Sequence, residues 1–323
     1  MRKRLFLAAL AAIVGTATAI AQQIAVVSEG GGTNVFQTLT EAIEGASDGS
    51  VIYLPGGGFQ IDDSVKITKR LTIIGIGHKA KNENVDGNTV ISGNLFFNEG
   101  SNYSAVMGCY VTGNIYIGND GKSANNLTVK YCNLNSVQFG SSLCTGVIIN
   151  RNYIRNNSIC KYAPVTFKNN IMRSITDVDG GTIINNILTS WGNAYYGGSM
   201  YRIHNSTIAG NIIHDMWDKA DLEGSVITGN LGFGNWSEED LKLEDGTKWE
   251  DIFVKCNGMS VSPASDFHFT EEYQQYSDCG IYGGDGFSDG QLPPVPFIVA
   301  KSIPEQTDAA GNLNIKIRVK AGE

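Results

Sequence analysis

Arg155, Arg173 and His214 each stand three residues after an asparagine, at Asn152, Asn170 and Asn211, inside phrases that repeat along the chain. A guanidinium can grip a carboxylate through two parallel hydrogen bonds, and a histidine changes charge near neutral pH. Held on one side of stacked coils, such residues could neutralise a sugar carboxylate and abstract a proton beside it, so Arg155, Arg173 and His214 are the catalytic candidates. Asp177, Asp179, Asp215 and Asp218 fall in the adjoining turns, and their carboxylate oxygens are of the kind that could hold Ca²⁺. The segment WGNAYYGG (191–198) offers Trp191, Tyr195 and Tyr196, and Trp217 follows. Aromatic faces beside hydrogen-bonding groups suit a sugar ring. The plainer alternative is a solvated coil surface beneath a loop whose aromatics pack locally, because stacked coils expose polar residues throughout.

Residues on separate coils share a site only if the coils stack in register. The phrase VTFKNNIMRS (165–174) returns as GTIINNILTS (181–190). Its relatives along the chain close on Asn94, Asn114, Asn133, Asn152, Asn170, Asn186, Asn211 and Asn230, spaced by 20, 19, 19, 18, 16, 25 and 19 residues. Three positions earlier stand Ile91, Val111, Lys130, Ile149, Phe167, Ile183, Ile208 and Ile227. Only Lys130 breaks this apolar column, and a one-residue bulge there would explain it. A period near twenty signals repeat architecture. A leucine-rich repeat would need several leucines per unit. Here β-branched columns separated by Gly, Asn, Ser and Thr favour short strands joined by turns. Asparagine tolerates the left-handed conformation that bends one strand into the next. The expected fold is a parallel β-helix, with the eight asparagines stacked as a ladder climbing roughly 34 Å. The 25-residue spacing carries its excess in 191–198.

Upstream, FQTLTEAIEGASDGSVIYL (36–54) sets Phe36, Leu39, Ala42, Ile43 and Ala46 at helical spacing before a strand. A short amphipathic helix there would cover the open end of the stack. With VKITKRLTIIGIG (65–77), this stretch resembles the opening of pectin-lyase-like right-handed β-helix proteins. SDFHF (265–269) with CGIYGGDG (279–286) is similar to the closing segment of secreted bacterial β-helix proteins. The resemblance covers roughly 30–290. It implies an all-β, single-stranded right-handed parallel β-helix with an N-terminal capping helix and a short C-terminal β extension. That superfamily holds lyases, hydrolases, adhesins and non-catalytic proteins, so the fold does not choose the activity. The N-T-D, G-H-G and R-I-K elements of similar hydrolases are not found here. Similar lyases use calcium-binding aspartates and an Arg or Lys base, which have looser signatures.

Residues 1–21 read as a signal peptide: basic Arg2, Lys3 and Arg4, an apolar core from Leu5 to Val14, and Ala19-Ile20-Ala21 as a small-x-small cleavage site. The mature chain is then expected in the periplasm or outside the cell, with no transmembrane segment. Losing three basic residues takes the net charge from -8 to -11, which argues against nucleic acid as a partner. The six cysteines (Cys109, Cys132, Cys144, Cys160, Cys256 and Cys279) contain no C-x-x-C pair and are read as buried apolar residues or disulfides. Residues 22–290 form the β-helix domain and 291–323 a linker with a terminal strand at NLNIKIRVK (312–320). The favoured function is a non-catalytic polysaccharide-binding or cell-surface module that requires no cofactor and takes a polysaccharide or cell-surface glycan as partner. A polysaccharide lyase or, less well supported, a glycoside hydrolase acting on acidic polysaccharide is the alternative, with Ca²⁺ as the one ion to consider. A structural adhesin-like module is the third reading, and sequence leaves the oligomeric state open.

Overall fold

A computed structural model describes residues 23–78, 81–82, 85–119, 121–189, 198–214, 221–232, 241–243, 247–256, 265–284, 286–287, 296–302 and 316–321. The segment 1–21 read above as a signal peptide lies outside them, as do Trp191, Tyr195, Tyr196, Asp215, Trp217 and Asp218. The described chain is a parallel β-solenoid of about eight turns and roughly 20-residue coils.

The N-terminal end is closed first. A hairpin, Ile24–Val27 with Thr33–Phe36, adds antiparallel to the strand Ser50–Tyr53. Helix α1 (Leu39–Gly45) rests against it with Leu39, Ala42 and Ile43 buried. Thr38 and Glu41 form a reciprocal capping box, each side chain accepting from the other's backbone N–H at 3.2 Å, which satisfies two N–H groups at the helix start.

Among the described residues, six successive coils contribute a strand to each of three sheets. Sheet A stacks Leu71–Ile74, Ala105–Met107, Thr128–Lys130, Val147–Asn150, Val165–Lys168, Thr182–Ile184, Thr207–Ala209 and Val226–Thr228. Its inward column is Ile52, Ile73, Val106, Val129, Ile149, Phe167, Ile183 and Ile208, all at most 1% exposed. Sheet B is built of short strands from Gly57–Gln60 to Leu241–Lys242, and sheet C of six strands from Leu95–Phe97 to Met200–His204.

The corner between sheets A and B explains the paired asparagines. The first of each pair is left-handed: φ is 51° at Asn169 and 53° at Asn185, with Arg151 at 56° taking the same place one coil earlier. The second points inward. Asn152, Asn170, Asn186, Asn211 and Asn230 are all 0% exposed. The Oδ1 of each accepts from the backbone N–H of the residue one coil before, at 2.9–3.0 Å from Asn170 to Asn230 and 3.0 Å from Asn152 to Cys132. Each Nδ2 donates to a sheet A carbonyl, as Asn170 does to Ile149 at 2.8 Å.

Asn94, Asn114 and Asn133 belong elsewhere, which corrects the single eight-membered ladder. Asn133 is in register with Tyr153, so Cys132, and Cys109 beyond it, occupy the ladder position. Val129 rather than Lys130 fills the core column, and Lys130 faces outward without a bulge. Asn94 and Asn114 sit at the next corner, between sheets B and C, where the Asn114 N–H donates to Asn94 Oδ1 at 2.8 Å. The strand–turn–asparagine phrase is written at both corners, and one slip of phase looks in sequence like an ordinary 19-residue coil. The cysteines at the ladder's upper end are reduced and fully buried. Burial pushes the Cys109 thiol well above its usual range and Cys132 up to about 12.

The outward column of sheet B is apolar where it carries Tyr153, Ile171, Ile187, Ile212 and Leu231. Residues 249–256, 265–284 and 286–287 cover it, with Trp249, Phe253, Phe267, Ile281 and Phe287 buried against it. The left-handed corner residues hold this cover. Asn169 Nδ2 donates to the carbonyls of Ile281 and Gly283 at 2.9 Å, Asn185 Nδ2 to Asp278 at 2.8 Å, and Arg151 Nε to Gly286 at 2.7 Å. The terminal strand Lys316–Ala321 pairs antiparallel with Pro296–Ser302, inside the stretch read above as a linker.

Candidate functional site

Sheet C presents a face on which aromatic and charged residues gather. Its strands Ser158–Ala163, Ile175–Asp179 and Met200–His204 run in register through Ile159, Thr176 and Tyr201, then shift so that Ala163, Val178 and Ile203 align. The shift lies between the first two strands, where left-handed Lys161 (φ 52°) and Tyr162 (62°) are the extra residues, while Asp177 (59°) and Arg202 (52°) are left-handed at matching places in the next two. Each costs about 1–2 kcal/mol of backbone strain. The consequence is a corner where Cys160, Ala163, Val178 and Ile203 are buried in the core, while Tyr162 keeps 41% of its surface.

At that corner Asp177 is buried, and its Oδ1 lies 2.5 Å from Arg202 Nε. The pair is a close ionic contact, without the linear N–H···O alignment of a hydrogen bond. Burial lowers the pKa of Arg202, but the Asp177 carboxylate outweighs it and holds the guanidinium above its usual range. The guanidinium also stands 4.7 Å above the Tyr201 ring. His204 Nε2 is 3.0 Å from Asp221 Oδ1, and its ring lies 6.1 Å from that of Tyr162. Asp179 Oδ1 accepts from Asn205 Nδ2 at 2.8 Å.

The three residues first singled out occupy the opposite border of sheet C. Backbone hydrogen bonds between successive coils place Arg155, Arg173 and His214 in one row at the corner between sheets B and C, with Thr189 between the last two. Their side chains diverge. Arg155 donates from Nη1 to Asn133 Oδ1 at 2.9 Å and from Nη2 to the carbonyls of Val111 (3.2 Å) and Thr112 (2.9 Å), clamping three coils together. Arg173 is exposed and reaches Asn156 Oδ1 at 3.4 Å. His214 stacks on Trp249 of the covering segment at 5.7 Å. About four residues of strand, roughly 13 Å, separate this row from the Asp177 corner.

The carboxylates of Asp177 and Asp179 are spent on Arg202 and Asn205. Among the described residues no group of three or more His, Cys, Asp or Glu is arranged to hold a metal ion. The sequence reading passed over Tyr162, Arg202 and His204. The only trace of the last two was an outward Arg-x-His alternation in a strand, at 202–204.

Architecture and corner together define a parallel β-solenoid with a polar-aromatic corner on sheet C. No family model, curated protein or solved structure matches the chain. No described helix is long and apolar enough to cross a membrane.

Proposed function

We propose that this chain is an exported β-helix protein of the pectin-lyase-like type that binds an acidic polysaccharide without cleaving it, through the outer face of sheet C. The observation that carries the reading is the corner of Tyr162, Arg202 and His204, which sets an aromatic ring, a cation and an imidazole around one exposed turn. In a chain of net charge -8, cations border this face on both sides: Arg155 and Arg173 on one, Lys161 and Arg202 on the other. Arg202 is matched by Asp177, and Asp179 and Asp221 stand at the same corner, so the charge that draws a polyanion in spite of the overall charge is that of Arg173 and Lys161. Binding suits the corner better than acid–base chemistry, because its charged groups are committed in pairs, Arg202 to Asp177 and His204 to Asp221.

The test is retention of the mature protein on immobilised acidic and neutral polysaccharides, with and without Ca²⁺. Unsaturated uronate absorbance and reducing ends are recorded alongside. Retention on an acidic polymer, without product and lost in Tyr162→Ala and Arg202→Ala, supports the reading. Product that disappears in Arg173→Ala or His214→Ala makes the protein a lyase or hydrolase instead. Silence across the panel leaves a structural, adhesin-like role.

A further inference from the structure

Sheet A ends on its N-terminal side at the hairpin strand Thr33–Phe36, the outermost of its eleven strands. The Ser28 N–H donates to Gly32 O at 2.9 Å, and bonded residues alternate along an antiparallel pair. Gly32, Asn34 and Phe36 therefore face Ile24–Val27, and the N–H and C=O groups of Thr33 and Val35 point away from the sheet. Among the described residues nothing pairs with those groups. Thr33, Asn34 and Val35 are exposed, Val35 by 53%. The neighbouring ends are covered: helix α1 lies against Gly57–Gln60, the first strand of sheet B, and Ile67 bridges Phe97 on the first strand of sheet C. Proteins blunt an open edge with charge, proline, a bulge or a short strand. At the far end of sheet C, Met200–His204 carries a charge and a left-handed break at Arg202. Thr33–Phe36 has only its brevity of four residues. Residues 30–40 hold neither a charge nor a proline, and the hairpin runs without a bulge.

We infer that this strand pairs antiparallel with the same strand of a second copy, about a two-fold axis at Asn34, joining two solenoids end to end through their N-terminal caps. A two-fold contact uses one patch twice, so the patch must complement itself. This one does. Thr33 falls opposite Val35 of the second copy, and Val35 opposite its Thr33, each pair exchanging both N–H···O bonds. Every outward N–H and C=O of the edge is then satisfied at once. Asn34 meets its own copy across the axis, with Cα atoms about 4.5 Å apart. Phe36 falls opposite Gly32 of the second copy, where no side chain stands in the way of the ring. Like charges set directly opposite would oppose such a pairing, and the strand has none. The occupant follows from this match of register and neutrality, which an unrelated strand does not share.

The experiment is sedimentation velocity of the full mature chain over a concentration series. The wild type is expected to dimerise with a Kd of roughly 10 μM to 1 mM, the weak end that suits a small interface. Val35→Pro removes an outward N–H that the hairpin does not use. It should leave the circular dichroism spectrum unchanged and weaken the dimer at least about tenfold. Asn34→Cys tests the register, because Cα atoms about 4.5 Å apart lie within reach of a disulfide. Copper phenanthroline in air, with dioxygen taking up the two electrons and two protons of the thiol pair, should give a covalent dimer on non-reducing gels. Asn34→Cys/Val35→Pro should give much less of it, and the wild type, whose own cysteines are buried apart from the half-buried Cys256, serves as the blank. A wild type that stays monomeric at about 1 mM overturns the inference. So does a dimer that Val35→Pro leaves equally tight, or one that Asn34→Cys fails to cross-link.

Discussion

Asn170→Ala is the sharpest probe of what holds the solenoid together. The side chain is 0% exposed and takes part in four hydrogen bonds. Its Nδ2 donates to Ile149 O (2.8 Å) and Asn186 Oδ1 (2.9 Å), while its Oδ1 accepts from both the backbone N and the Nδ2 of Asn152 at 3.0 Å. Alanine leaves the Asn152 amide buried without that acceptor, whereas Asn152 Nδ2 retains Val129 O at 2.9 Å. One orphaned N–H costs about 1–3 kcal/mol. With the weakened partners and the small void, the total should reach roughly 2–4 kcal/mol. Equilibrium urea denaturation, followed by circular dichroism, should show a lower midpoint at an unchanged slope. Asn170→Asp separates shape from chemistry. It keeps the acceptor but sets an oxygen against Ile149 O, and it buries a charge. Its carboxyl would therefore titrate above the unfolded value near 4, so its stability is retained below that pH and lost as pH rises. The double variant Asn170→Ala/Asn186→Ala should be non-additive by about 0.5–3 kcal/mol, and Asn170→Ala/Asn114→Ala additive. The ladder assignment fails if Asn170→Ala costs less than about 0.5 kcal/mol, or if Asn114 couples to Asn170 as strongly as Asn186 does.

Three further outcomes follow from the same contacts. Asn169→Gly keeps the left-handed turn but removes both bonds to Ile281 and Gly283; hydrogen exchange should quicken in 278–286, and unchanged protection there would show that the clamp is idle. Cys132, pushed from 9.0 to about 12 by burial, favours the folded state below pH 9 and withdraws that support as pH climbs toward 12. Its part of the alkaline loss, of order 4 kcal/mol, should vanish in Cys132→Ala, and an identical alkaline midpoint for the two proteins would refute it. Arg202→Met strands the buried Asp177 at a cost of about 1–3 kcal/mol. Adding Asp177→Asn should restore most of it in thermal melts, and a double variant no more stable than the single one would show that the ion pair is not the cause.

The repeat was fully legible in the chain. β-Branched residues at fixed distance from an asparagine in six of eight phrases, with Phe167 in a seventh, can satisfy their backbone and bury their side chains only by stacking, so local chemistry alone determined a parallel coil of near-constant length. The helix at 39–45 was legible for a similar reason, since its capping box and its apolar spacing lie within a few residues of each other. Which asparagine sits at which corner was not legible. A two-residue strand gives too little sequence to fix phase, and only the pairing of Cys132 with Asn152 revealed that the upper coils are offset. The paired asparagines were visible, but their division of labour was not: one turns inward to the ladder and the other outward to residues 93 or more positions away. The Arg155–Arg173–His214 row was visible as a row, because strand register carries it. Where each side chain goes was decided by neighbours from distant coils, Val111 and Thr112 for Arg155 and Trp249 for His214. The corner of Tyr162, Asp177 and Arg202 left no periodic trace. It arises from strained left-handed residues in three successive coils, and strain of that kind is imposed by stacking, not by the residues that bear it.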